Sequence, residues 1–109
     1  DPFHPKCVAA TSGAIGKVQL FMEKHWSSWI KQSKNPIYVL NPNGVKTVQR
    51  MTQPDAYILI CGSEGQGIQN KVITSLSTTP LSIPMNSQTE SLNAAISVSI
   101  TLSHFFTNP

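Results

Sequence analysis

Charge is scarce in this 109-residue chain: 12% of the residues are ionic, 8 basic against 5 acidic, and Arg50 is the sole arginine. Lys6, Lys17, Lys24, Lys31, Lys34, Lys46, Arg50 and Lys71 are scattered, so the net charge of +3 allows a polyanionic partner without specifying one. Long apolar runs are missing as well. Nothing approaches the ~18 residues of a membrane span, and a soluble protein with no membrane partner is expected. Cysteine is limited to Cys7 and Cys61, 54 positions apart and in no metal-ligand spacing. His4, His25 and His104 lie in different elements, so no metal site is expected. The absence of a charged-then-apolar leader makes a reduced, cytoplasmic setting the default. A Gly-x-Ser-x-Gly elbow is absent too, which leaves a serine hydrolase unsupported. The length allows one small domain, residues 1–109, of marginal stability alone, and favours a homodimer.

What is present alternates between short apolar runs and helical periodicity. Residues 6–12 read as a short helix stopped by Gly13 and Gly16, and residues 18–21 as a short strand. Met22, Trp26, Trp29 and Ile30 form one stripe of an amphipathic helix over residues 22–34, with both tryptophans assigned to the core. Ile37-Tyr38-Val39-Leu40 is apolar without alternation, the pattern of a strand covered on both faces. Residues 57–61 repeat it, and residues 81–84 form a third such strand closed by Pro84. Helical spacing covers residues 68–76, and residues 91–106 form a long, largely apolar helix capped by Thr89 or Ser91. This order implies an α/β fold, a mainly parallel sheet flanked by helices. Ligands of such sheets bind beyond the carboxyl ends of the strands. Those ends are the loops 40–44, 62–67 and 84–92, expected to line one edge.

Two of these loops could carry chemistry. In Cys61-Gly62-Ser63-Glu64-Gly65-Gln66-Gly67 the glycines allow close approach of backbone to a ligand, yet the spacing matches neither the Walker nor the dinucleotide pattern. A central carboxylate would repel phosphate and suit a cation, an amine or a hydroxyl. The plainer reading is a tight turn whose Glu64 complements the following helix dipole. The second loop, Met85 through Asn93, reads as a polar stretch entering a helix, with Asn93 in the first turn and in need of partners if buried.

Taken together, Ile58 to Ile68, Leu81 to Met85 with Glu90 to Ala95, and the earlier Pro5 to Ala14 resemble the SpoU (TrmH-type) RNA ribose 2′-O-methyltransferases of the SPOUT class. The matches fall in order and cover nearly the whole chain. The resemblance implies a SPOUT-type fold with a C-terminal trefoil knot, a rare exception to unknotted topology. It also implies S-adenosylmethionine as cofactor and tRNA or rRNA as substrate. By position, Gly62, Ile83 and Leu92 fall where the family contacts the cofactor, with Leu40 and Met85 adjacent. Glu64, Ser91 and Asn93 fall at its polar active-site positions. The family's first motif, with its Asn and its catalytic Arg, precedes the stretch at which this sequence begins, and Arg50 is in the wrong place to replace it. The expectation is the C-terminal portion of a methyltransferase domain. The alternative is a non-catalytic, knotted RNA-binding or assembly module that has lost the Arg. A generic nucleotide-binding α/β domain would instead bind ATP.

Overall fold

The computed structural model describes residues 1–63, 74–89 and 91–108. Its centre is a four-stranded sheet of β1 (Ile37–Leu40), β2 (Lys46–Thr47), β3 (Ile58–Ile60) and β4 (Thr78–Ser82), in the order β2-β4-β1-β3. Every pairing is parallel. Around it lie α1 (Pro5–Ala10), α2 (Trp26–Ile30) and α3 (Ala94–Thr107), with 3-10 turns at Ala14–Lys17 and Val48–Arg50. The expected α/β class with a mainly parallel sheet is the one observed.

The lack of polar alternation in β1 has its cause in two apolar layers. Ile37 and Val39 face Ile30, Ile60 and Leu76, with Trp26 and Ile58 packed alongside. Tyr38 faces the other way, into Val48, Leu81 and Phe105. Phe105 of α3 is fully buried there, its ring 5.0 Å from that of Tyr57 in an edge-on arrangement and 6.0 Å from that of Tyr38. Such ring pairs add to the stabilisation from burial alone. The far end of α3 is tied down by polar contacts. The Gln53 amide donates to the Asn108 carbonyl at 2.9 Å, and His104 Nε2 lies 3.0 Å from the Met51 carbonyl oxygen.

Several expected elements differ. Residues 18–21 form no strand; Val18, Leu20 and Phe21 are exposed, with no ladder partner among the described residues. The helix expected over 22–34 is confined to Trp26–Ile30, because only Trp26 and Ile30 of its stripe reach the sheet. Met22 and Trp29 stay in water, so the assignment of Trp29 to the core is wrong. The third strand begins earlier, at Thr78, and ends at Ser82, before Ile83. Proline weakens a central strand by removing a donor, but β2 pairs only with Leu81 and Ser82, so β4 has one open side at Pro80. The two-residue strand β2 was not legible at all. The helix expected over 68–76 lies outside the described residues except for its end, where Leu76 is buried.

β4 enters between β1 and β2, which are joined by the short turn 41–45. That turn therefore crosses β4 closely. A Cβ on Gly44 would stand 2.7 Å from the Leu81 carbonyl carbon and 2.8 Å from the Ser82 nitrogen. Backbone cannot move aside as a flexible side chain can. Gly44→Ala should lower stability by about 1–3 kcal/mol, read as a lower urea midpoint with unchanged slope; an unchanged midpoint would mean that the turn shifts freely.

Candidate functional site

The carboxyl ends of β1, β3 and β4 open into one cavity of about 510 Å³. This lies within the ~300–1,000 Å³ of small-molecule and cofactor sites. Leu40 and the Asn41-Pro42 turn form one side, Cys61, Gly62 and Ser63 a second, and Ile83 and Met85 a third. The start of α3 closes it with Ser91, Leu92, Asn93, Ala94 and Ser97. All three predicted loops thus contribute. Leu40, Gly62, Ile83, Met85, Leu92, Ser91 and Asn93 are brought together around this one space. Glu64 lies outside the described residues.

Local hydrogen bonds shape each wall. The Asn41 amide donates to the Leu81 carbonyl at 2.9 Å, which locks the first loop to β4. Its side-chain Oδ1 accepts from the Asn43 amide at 2.9 Å, and the Gly44 amide donates to the Asn41 carbonyl at 2.9 Å, closing the turn. In the third loop Asn86 Oδ1 accepts from the Gln88 amide at 3.0 Å, and the Thr89 amide donates to the Asn86 carbonyl at 2.9 Å. Cys61 Sγ lies 3.8 Å from the Ala94 carbonyl oxygen and joins the second loop to α3. Burial pushes its thiol above the usual range.

Asn93 corrects the capping expectation. It is itself the N-cap of α3, in place of Thr89 or Ser91, and its Oδ1 accepts from the Ala95 amide at 2.9 Å and the Ile96 amide at 3.3 Å. Its oxygen is thus committed to the helix. Two groups that a phosphate would seek are thereby taken up, since amides at a helix start ordinarily attract anions.

The donor set suits S-adenosylmethionine. Among the described lining residues there is no lysine, arginine, histidine or carboxylate. Apolar walls from Leu40, Leu81, Ile83 and Leu92 suit a planar base, and backbone groups and hydroxyls of Ser63, Ser91 and Ser97 suit its polar edges. A triphosphate would meet no counter-charge from these walls. Sequence reasoning missed Cys61, Leu81, Ala94 and Ser97 as lining residues, although Ser97, four residues after Asn93, shares its helix face. Among the described residues no group of three or more His, Cys, Asp or Glu side chains could hold a metal ion, and no helix is long and apolar enough to cross a membrane.

A parallel α/β sheet with a strand-end cavity whose described lining residues carry no charge is the class of protein these features define. The SpoU rRNA Methylase family model matches residues 1–103, and the chain belongs to that family. A comparison with curated proteins found no match. Among solved structures, a protein described as an RNA methyltransferase of the TrmH family from Porphyromonas gingivalis is 31% identical, with a TM-score of 0.81 over 96% of this chain and 44% of that one. The SpoU methyltransferase AviRb from Streptomyces viridochromogenes, in complex with AdoMet, is 21% identical, with a TM-score of 0.82 over 98% of this chain and 45% of that one. An RNA 2′-O ribose methyltransferase is 25% identical, with a TM-score of 0.70 over 96% of this chain and 40% of that one. The chain spans less than half the length of each of these three structures.

The two thiols should differ in reactivity, because the thiolate is the nucleophile and Cys61 is part-buried with a raised pKa whereas Cys7 is exposed. Iodoacetamide followed by mass spectrometry should label Cys7 first, with Cys61 lagging severalfold; equal rates would mean that the cavity wall at Cys61 opens readily.

Proposed function

We propose that the chain serves S-adenosylmethionine-dependent 2′-O-methylation of RNA ribose, on tRNA or rRNA, as a cytoplasmic homodimer. The observation that carries this reading is the convergence of three strand-end loops on one cavity of cofactor size, with no ionic side chain among its described lining residues. Family membership and the likeness to a methyltransferase in complex with AdoMet support it. When bound, S-adenosylmethionine supplies a methyl group on a positively charged sulfur. Leu40, Gly62, Ile83, Met85 and Leu92 bind and orient that group through apolar contact and main-chain polar atoms. Methyl transfer is an in-line displacement, so holding the two reacting atoms in register supplies much of the acceleration. Glu64 provides negative charge on the loop after β3, and Ser91 with Asn93 frames the ribose hydroxyl and the route by which its proton leaves. The trefoil threading belongs to the same reading. Gly44 lying on the backbone of β4, and α3 held at Met51 and Gln53, support a connection that passes around the final helix.

The homodimer has its own physical ground. α3 buries Thr101 and Phe105 on one side, yet Ile96, Ile100, Leu102 and Phe106 are exposed, Phe106 at 83%. Its hydroxyls do not make that outer surface polar. Ser99 Oγ donates to the Ala95 carbonyl at 2.7 Å and Thr107 Oγ1 to the Ser103 carbonyl at 3.0 Å, so both turn back on the helix. Apolar residues exposed on the side of a helix away from its buried face call for cover there too. Ile100→Glu should convert a dimer to a monomer in sedimentation at micromolar concentration, and a monomeric parent chain would remove this part of the proposal.

Calorimetry should detect S-adenosylmethionine binding and no ATP binding, and RNA methylated by the protein should resist alkaline cleavage at the modified ribose. Cofactor binding without transfer would favour the non-catalytic RNA-binding module. The dual position of Asn93 is separable: Asn93→Ala should lose about 1 kcal/mol of stability with its cap, whereas Asn93→Ser keeps a capping oxygen. Transfer should fall at least tenfold in both, and full activity in Asn93→Ser would assign the residue to capping alone.

A further inference from the structure

The inward stripe of α3 runs through Asn93, Ser97, Thr101 and Phe105, since residues four apart fall on one face of a helix. Exposure falls along it: Asn93 is exposed, Ser97 half-buried, and Thr101 and Phe105 fully buried. Asn93 and Ser97 line the strand-end cavity whereas Thr101 does not, so on the helix side the cavity closes at Ser97. On the sheet side Leu81, also fully buried, lines it and packs in the layer that holds Phe105. The mouth lies where Pro42, Ser63, Ser91 and Asn93 are exposed.

Three other hydroxyls of α3 turn back on the helix. Ser99 Oγ, Thr101 Oγ1 and Thr107 Oγ1 donate to the carbonyls four residues earlier at 2.7, 2.9 and 3.0 Å. Ser97 Oγ makes no such bond, nor one to any other group among the described residues. Its main chain is engaged, because the Ser97 amide donates to the Asn93 carbonyl at 2.9 Å and the Ser97 carbonyl accepts from Thr101. The hydroxyl is what remains for the cavity. Of the other half-buried polar side chains in the lining, Asn41 spends Oδ1 on the Asn43 amide and Cys61 directs Sγ at the Ala94 carbonyl.

The charges on S-adenosylmethionine decide which part of it reaches the closed end. It carries a sulfonium, an ammonium and a carboxylate, and the described lining residues supply no counter-charge. Burying an unpaired charge costs far more than burying a neutral group that keeps a hydrogen bond. The charged atoms therefore stay toward the mouth, and the neutral adenine is the part that enters. Its edge offers ring-nitrogen acceptors and an amine donor, and a hydroxyl can serve either.

We infer that Ser97 is a specificity residue for the cofactor, its hydroxyl hydrogen-bonded to the edge of the adenine base at the closed end of the cavity. The inference rests on the S-adenosylmethionine reading above and assigns recognition of the base to one side chain.

The test is calorimetry of the full chain with S-adenosylhomocysteine and with 5′-methylthioadenosine, which share base and ribose while only the first has the amino-acid end. Ser97→Ala should weaken both by the same factor, roughly fivefold. Alanine suits a helix interior, so the urea midpoint should not fall. Ser99→Ala removes a hydroxyl already bonded to its own helix and should leave both affinities unchanged. Methylthioadenosine analogues with one ring nitrogen replaced by CH, or the exocyclic amine by H, locate the contact: for one of them the loss in Ser97→Ala should vanish. A loss that persists with every analogue would put the hydroxyl on the ribose, and a loss confined to S-adenosylhomocysteine would put it on the amino-acid end. Either result overturns the inference, as does an equal loss in Ser99→Ala or unchanged affinity in Ser97→Ala, and all four leave the cofactor reading standing because the parent chain binds. Absence of binding of both ligands by the parent chain would overturn both.

Discussion

Leu81 is the residue through which the rest of the structure is connected. It is fully buried, pairs with Leu40 on one side and Lys46 on the other, and accepts the Asn41 amide at its carbonyl. The turn joining β1 to β2 lies against its backbone so closely that only a residue without Cβ fits at position 44. Because β4 must enter between two strands already joined by that turn, strand order and cavity follow from one close approach. The loops after β1 and β4 are held side by side there, and the loop after β3 completes the space between them and α3.

The cavity and the last helix belong to one arrangement. α3 starts at the cavity with Asn93 as its cap and ends against the connection between β2 and β3, with Phe105 filling the apolar layer on the way. Cap, ring packing and the contacts at Met51 and Gln53 fix the helix along its length. The outer face then keeps apolar residues exposed while Ser99 and Thr107 bond back to the helix. A helix designed only to cover this sheet would carry charge on that side, and this one carries almost none.

Much of the fold was legible in order. β1, β3 and the final helix declare themselves by pattern, because a strand covered on both faces needs uninterrupted apolar residues and a buried helix needs them at helical spacing. Predictions failed where the pattern depended on distant partners. Residues 18–21 have strand-like composition but no neighbour to pair with among the described residues, and Met22 and Trp29 continue a stripe that reaches no surface able to cover it. β2 has two residues, too few for any period, and exists only because β4 passes beside it. Pro80 argues against a strand, and the open side that tolerates it is a property of the assembled sheet. At the site, loop positions and apolar lining residues were foreseen, whereas the capping role of Asn93 was misassigned by position because Ser91 and Thr89 are equally good capping residues.

Residue order and type determined by themselves the α/β class, the buried strands and the three loops that carry polar and glycine residues after them, since these depend on local periodicity and turn chemistry. The tertiary structure alone decided that those loops share one cavity, that Asn93 spends its oxygen on the helix, and that Trp29 remains in solvent. The shared cavity depends on the insertion of β4 between β1 and β2, a contact between segments some forty residues apart that no local pattern encodes.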